Sequence, residues 1–199
     1  MKKFEYTPPE QPRELILKLG QKITDRIGHT VTAEDPEYYG LEALVTDEMA
    51  EVALKMKVRK PMTLAQAVKA TGKEEKVLEE LLQEMSNIGL LEYNWENPKH
   101  EKQYVLPMYV PGSAEFFNMK LDQIKEHPEV ASFFERMAFL PLQKVTPMVP
   151  PGGAGIGMHV IPVEKAIETE NESVSVEHIS HWLDKYDGKY AAGPCSCRY

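Results

Sequence analysis

Cys195 and Cys197 are the two cysteines of this 199-residue chain, and they stand one residue apart in "AAGPCSCRY". A Cys-x-Cys pair is too tight for a comfortable disulfide, because the S–S torsion is strained by so short a span. The same spacing suits two thiolates on one metal or cluster, and thiolates select zinc, copper(I) and iron–sulfur centres. Pro194 stiffens the approach and Gly193 frees it. Arg198 supplies positive charge, which lowers a thiol pKa and offsets the charge of a thiolate-ligated cluster. A four-cysteine cluster needs two further ligands, and the chain has no other cysteine. The missing ligands would come from another chain or copy, or from sequence following a fragment that stops inside a metal-binding segment. Two incidental thiols on a frayed terminus are the plain alternative.

The other chemistry-bearing residues form no comparable group. His29, His100, His127, His159, His178 and His181 are scattered. His178 and His181 are i,i+3 on one expected helix and could share a metal, but no H-E-x-x-H is present. "PPGGAGIGMH" invites a nucleotide reading. It misses the dinucleotide fingerprint G-x-G-x-x-G, since Gly153 and Gly155 are followed by methionine at 158. It misses the phosphate loop as well, since no lysine follows Gly157. Turn geometry or close packing against a neighbouring domain or a cofactor accounts for these glycines. No serine lies in a G-x-S-x-G elbow, and no self-contained active site emerges.

The elements that must position the tail read as follows. Residues 1–45 are a proline-bearing arm, a helix and a connector. The helix carries Leu15, Ile16, Leu19, Ile23 and Ile27 on one face and stops at Gly28. The connector is anchored by Tyr38 and Tyr39. Residues 46–110 hold three helices and a hairpin. Thr46 and Asp47 cap the first helix, whose apolar face is Met49, Val52, Ala53 and Met56. Pro61 and Thr63 open the second, "TLAQAVKATG", which Gly72 closes. The third, "KEEKVLEELLQEMSNIG", directs Val77, Leu78, Leu81, Leu82, Met85 and Ile88 inward. "LLEYNW" and "KQYVLPMYV" are strands around the turn "ENPKHE". This order resembles a winged helix-turn-helix module.

Residues 111–188 continue with a helix capped by Ser113 over "AEFFNMKLDQIKEH", a second over "PEVASFFERMAFL", and the Pro/Gly-rich loop. A short strand at "MHVIPVE" and a last helix over "VSVEHISHWLDKYDG" follow. Residues 189–199 begin the cysteine-rich segment. The expected fold is therefore mainly α, of the α+β class, with a small hairpin.

Net charge is −8 and charged residues make up 27% of the chain. The third helix of the winged-helix-like segment, its reading helix, bears Glu74, Glu75, Glu79, Glu80 and Glu84 against Lys76. Such a face repels a polyanion and lacks the counterion-release term that drives DNA binding. Nucleic acid is disfavoured as a partner, and the module reads as structural or docking. No run of about 18 apolar residues occurs, so no membrane-spanning helix is expected. No apolar stretch follows the two N-terminal lysines, so no signal peptide is expected, and the expected location is cytoplasmic.

Four stretches carry a wider resemblance: "DPEYYGLEALVTDEMAEVAL", "IGLLEYNWENPKHEKQYVLPMYVPGSAEF", "VTPMVPPGGAGIGMHVIPVEKAI" and "EHISHWLDKYDGKYAAGPCSCRY". From about residue 35 onward the chain resembles the N-terminal region of large FAD-dependent pyridine nucleotide-disulfide oxidoreductases of anaerobic bacteria, which carry iron–sulfur segments. The resemblance implies that Cys195 and Cys197 are the first two ligands of an iron–sulfur cluster of the 4Fe-4S kind. It also implies that FAD and NAD(P) bind only in the presumed parent protein, and that this chain alone is not catalytic. The implied partners are the catalytic flavoprotein portion or a redox partner protein, and a homo-oligomer stays open. The other reading is a winged-helix transcription regulator sensing metal or redox state through the same two cysteines.

Overall fold

The computed structural model describes residues 6–134 and 179–189. Residues 6–134 belong to one compact unit and residues 179–189 to a second. The first unit is helix-rich with a small three-stranded antiparallel sheet, an α+β arrangement.

Helix α1 (Glu14–Ile23) buries Ile16, Leu19 and Ile23. It stops four residues earlier than its apolar spacing suggests, where the backbone turns extended at Thr24, and Ile27 is 103% exposed. The connector expected next contains a helix instead, α2 (Pro36–Leu44). Pro36 sits at its first position, where a missing N–H removes no helical bond. Every residue from Pro36 to Leu41 is buried, which leaves no polar face to reveal the helix in the sequence. The expected anchors Tyr38 and Tyr39 are buried completely.

Helix α3 (Asp47–Lys55) starts where expected: the Thr46 hydroxyl accepts the Met49 N–H at 3.2 Å. Strand β1 (Met62–Thr63) was not expected, being only two residues long. Thr63 then caps α4 (Leu64–Thr71) in a capping box with Gln66, and Gly72 ends it in a left-handed conformation. Helix α5 (Glu75–Asn87) buries Leu78, Leu82 and Met85. Val77, expected inward, is 50% exposed. The hairpin strands β2 (Glu92–Asn94) and β3 (Gln103–Val105) are shorter than their apolar stretches. The sheet order is β1-β3-β2, so Tyr104 of β3 sits between Met62 and Tyr93.

The single helix expected after Ser113 is two: α6 (Ser113–Phe117) and α7 (Leu121–Glu126). Ser113 is the first helical residue rather than the cap. Its predecessor Gly112 takes the cap position and donates its N–H to Glu115 at 2.7 Å. The break lies at Asn118, whose buried side-chain amide donates to the carbonyls of Ala114 (2.8 Å) and Val130 (3.0 Å). Asparagine competes with the helical ladder in this way. Helix α8 (Glu129–Phe134) closes the unit.

Helices α2 and α3 pack on α1, α8 packs on α2, and α4 packs on α5. One apolar core runs from Ile16 through Leu82 and Tyr109 to Phe133. In the second unit, helix α9 (Ile179–Lys185) lies within the last helix expected, and Leu183 and Tyr186 are exposed. The expected strand at "MHVIPVE" and the Pro/Gly-rich loop lie outside the described residues. Among the described residues no helix is long and apolar enough to cross a membrane.

Candidate functional site

The packing of α5 decides what that helix shows to solvent. Leu78, Leu82 and Met85 turn inward, and this orients Glu75, Glu79, Glu80 and Glu84 outward beside Lys76. The hairpin adds little positive charge. Lys102 folds back: its ammonium lies 4.3 Å from the centre of the Tyr93 ring and donates to Gln83 at 2.9 Å. Asn97 organises the turn, accepting from the backbone N–H groups of Lys99 and Glu101 at 3.3 and 3.1 Å. Lys99 and His100 are exposed there between the exposed Glu96 and Glu101. The α5 face is anionic, and in the hairpin Trp95 is 52% exposed.

Beside this face lies a groove of about 430 Å3. Leu91, Glu92 and Tyr93 form one wall, and Phe116, Met119 and Lys120 the other. Gly89 sets its depth. Its φ is +95°, and a Cβ there would meet the Phe116 backbone at 2.8 Å, so only glycine lets α5 turn into β2 this close to α6. Gln123 fixes the walls together, donating to the carbonyls of Ile88 (3.1 Å) and Phe117 (3.0 Å). Asn87 borders both this groove and the shallow depression along Glu79, Glu80 and Glu84, so the apolar and acidic surfaces are continuous.

A second polar group lies at the start of α2. Glu37 is 1% exposed. Its Oε1 accepts from the Thr24 hydroxyl at 2.7 Å and from Arg26 Nε at 2.8 Å, and its Oε2 accepts from Arg26 Nη2 at 2.5 Å. The same guanidinium donates to Asp35 at 2.8 Å, and His29 Nε2 lies 3.0 Å from that oxygen. Burial works against ionising Asp35. Hydrogen bonds from the Thr32 N–H, Arg26, the Thr32 hydroxyl and His29 outweigh it and hold the carboxyl at about 2. These bonds tie the α1–α2 connection together, with Arg26 bridging Glu37 and Asp35 and with Thr24, Thr32 and His29 completing the set.

Sequence reasoning missed both the groove and this cluster. The dipeptide Asp35-Pro36 is a legible helix start, but nothing in the spacing of Thr24, Arg26 and Glu37 shows that they converge. The groove depends on the break at Asn118, where the sequence reads as continuous helix.

Cys195 and Cys197 lie outside the described residues, as do Gly153, Gly155, Gly157, His159 and His178. His181 falls within α9. Among the described residues no group of three or more His, Cys, Asp or Glu side chains could hold a metal ion. Comparison of the chain with protein-family models, curated proteins and solved structures found no match.

Proposed function

We propose that residues 46–110 are a winged helix-turn-helix module used for protein docking, within an N-terminal accessory region of an iron–sulfur flavoprotein oxidoreductase. The order α3, β1, α4, α5, β2, β3 with β3 central supports the winged reading. The observation that carries docking over DNA reading is the outward face of α5. A reading helix presents that face to phosphates and base edges, and here it presents exposed Glu75, Glu79, Glu80 and Glu84. Close approach to DNA would be repulsive, while a basic protein surface would be attracted.

Cys195 and Cys197 would give two thiolates to a cluster whose other ligands belong to another polypeptide, a second copy, or sequence other than these 199 residues. The cluster would carry the electron, and the chain's part would be to hold it and to offset its charge with Arg198. FAD and NAD(P) would bind in the catalytic flavoprotein portion. Support for this half of the reading is the resemblance together with the soft, paired donors.

The test is anaerobic incubation of the chain with ferrous iron and sulfide, followed by gel filtration and assay of bound iron and acid-labile sulfide. With a second copy supplying the other two thiolates, the chain binds iron and shows a visible chromophore, both lost when Cys195 and Cys197 are changed to Ala. Equal iron in the two proteins removes these cysteines from the ligand set. The regulator reading shares the cysteines but requires salt-sensitive duplex binding, which the acidic α5 face opposes.

A further inference from the structure

We propose that the groove between β2 and the end of α6 receives an extended segment of a partner protein, alternately apolar and basic, that pairs with β2 as a fourth strand. This deepens the docking reading and rests on it. Three observations carry it.

First, among the described residues β2 pairs with β3 alone, and none of them pairs with its other edge. Unpaired edge N–H and C=O groups template a further strand, and proteins block them with short strands, charged side chains (lysine above all), proline or a bulge. Glu92, Tyr93 and Asn94 supply neither lysine nor proline.

Second, the groove runs along that edge. Successive residues of a strand face opposite ways, yet Glu92 and Tyr93 both line it. A groove on one face of the sheet would be lined by alternate residues only. Opposite them stand Phe116 and the exposed Met119, so alternate side chains of an added strand would enter an apolar slot. Peptide addition of this kind takes its affinity from main-chain bonds and its selectivity from such slots.

Third, charge selects the occupant. The groove continues through Asn87 onto Glu79, Glu80 and Glu84; with Glu92 these carboxylates outnumber the lysines of the combined lining, Lys76 and Lys120. Side chains directed toward α5 would meet carboxylates, so lysine or arginine is favoured there and an acidic segment is rejected. Because β2 is three residues long, few backbone bonds are gained, and the slot and the charges must supply much of the affinity.

The test uses the 15N-labelled 199-residue chain and a short synthetic peptide of alternating valine and lysine. Amide shifts should concentrate at residues 91–94 and 116–120 and saturate below about 1 mM, with slowed hydrogen exchange in β2. A valine–glutamate peptide should bind at least about tenfold more weakly. Met119→Glu, at an exposed position, should weaken binding about tenfold as well. Glu80→Lys with Glu84→Lys should weaken it by roughly threefold or more without altering the free protein's spectrum elsewhere.

Absence of shifts at about 1 mM overturns the proposal, as do shifts confined to other surfaces or unchanged exchange in β2. Self-association abolished by Met119→Glu would make the occupant a second copy, and β2 amides already protected in the free monomer would make it a segment of the same chain. Both outcomes refute a partner strand. Salt-sensitive duplex binding would remove the docking reading itself, whereas a peptide bound elsewhere removes only the strand addition.

Discussion

Replacing Arg26 by Met tests what holds the α1–α2 connection. The guanidinium supplies two of the three hydrogen bonds to Glu37, and the Thr24 hydroxyl supplies the third at 2.7 Å. Glu37 is 1% exposed, so water cannot replace what is lost without opening the packing. Removing one partner of a buried pair costs about 3–5 kcal/mol, because the other charge stays behind uncompensated. Asp35 loses the same partner but keeps the Thr32 N–H and hydroxyl and the neighbouring His29, so it adds little to the cost. A domain has about 5–15 kcal/mol in all, and a urea slope of about 2 kcal/mol per M turns the loss into a midpoint drop of about 2 M. Urea denaturation followed by circular dichroism reads that drop. The double variant Arg26→Met with Glu37→Met removes both charges and should recover most of the loss. A midpoint within about 0.5 M of the parent for the single variant, or a double variant no more stable than the single, would refute the reasoning.

The depressed Asp35 carboxyl gives a pH dependence with a defined sign. Its folded pKa of about 2 lies below the ordinary 3.8, so its contribution is complete above about pH 4 and is lost as pH falls toward 2. Asp35→Asn should cost about 2 kcal/mol at neutral pH, after discounting for partial solvent contact, and progressively less between pH 4 and 2. Denaturation midpoints across that range check it. Gly40→Ala should be severe despite its small volume, because the new Cβ would lie 2.2 Å from the Tyr109 hydroxyl. That hydroxyl donates to the Pro36 carbonyl at 2.7 Å, so either the bond breaks or α2 shifts. Thermal unfolding should show a loss of about 2–4 kcal/mol. Adding Tyr109→Phe should restore part of it by removing the obstructing oxygen.

Elements with one polar face and a cap were legible in the sequence. Thr46 with Met49 and Thr63 with Gln66 mark helix starts by local hydrogen bonds, which spacing alone reveals. Gly72 ends α4 in the left-handed region, as a glycine there suggests. Helix α2 was hidden because it is short and its first six residues are all buried, so its sequence carries no clear period. Strand β1 depends on Tyr104, some forty residues away, for its pairing. Val77 and Ile27 fit an apolar helical face by spacing, but α4 covers only part of α5 and the chain leaves the helix before residue 27. The acidic face of α5 was readable before the fold was known, because the apolar positions between the glutamates fix which way they point. The groove was not, since its two walls meet through the Gln123 amide and the close approach at Gly89.

The central claim, that this module meets proteins and not DNA, is tested most directly by fluorescence anisotropy of a labelled random duplex titrated with the whole chain. At roughly 50 mM salt, where non-specific binders hold duplex DNA far more tightly than at about 200 mM, the account predicts no change in anisotropy up to about 100 µM protein. Saturable binding at that salt, falling steeply at about 200 mM, would contradict it.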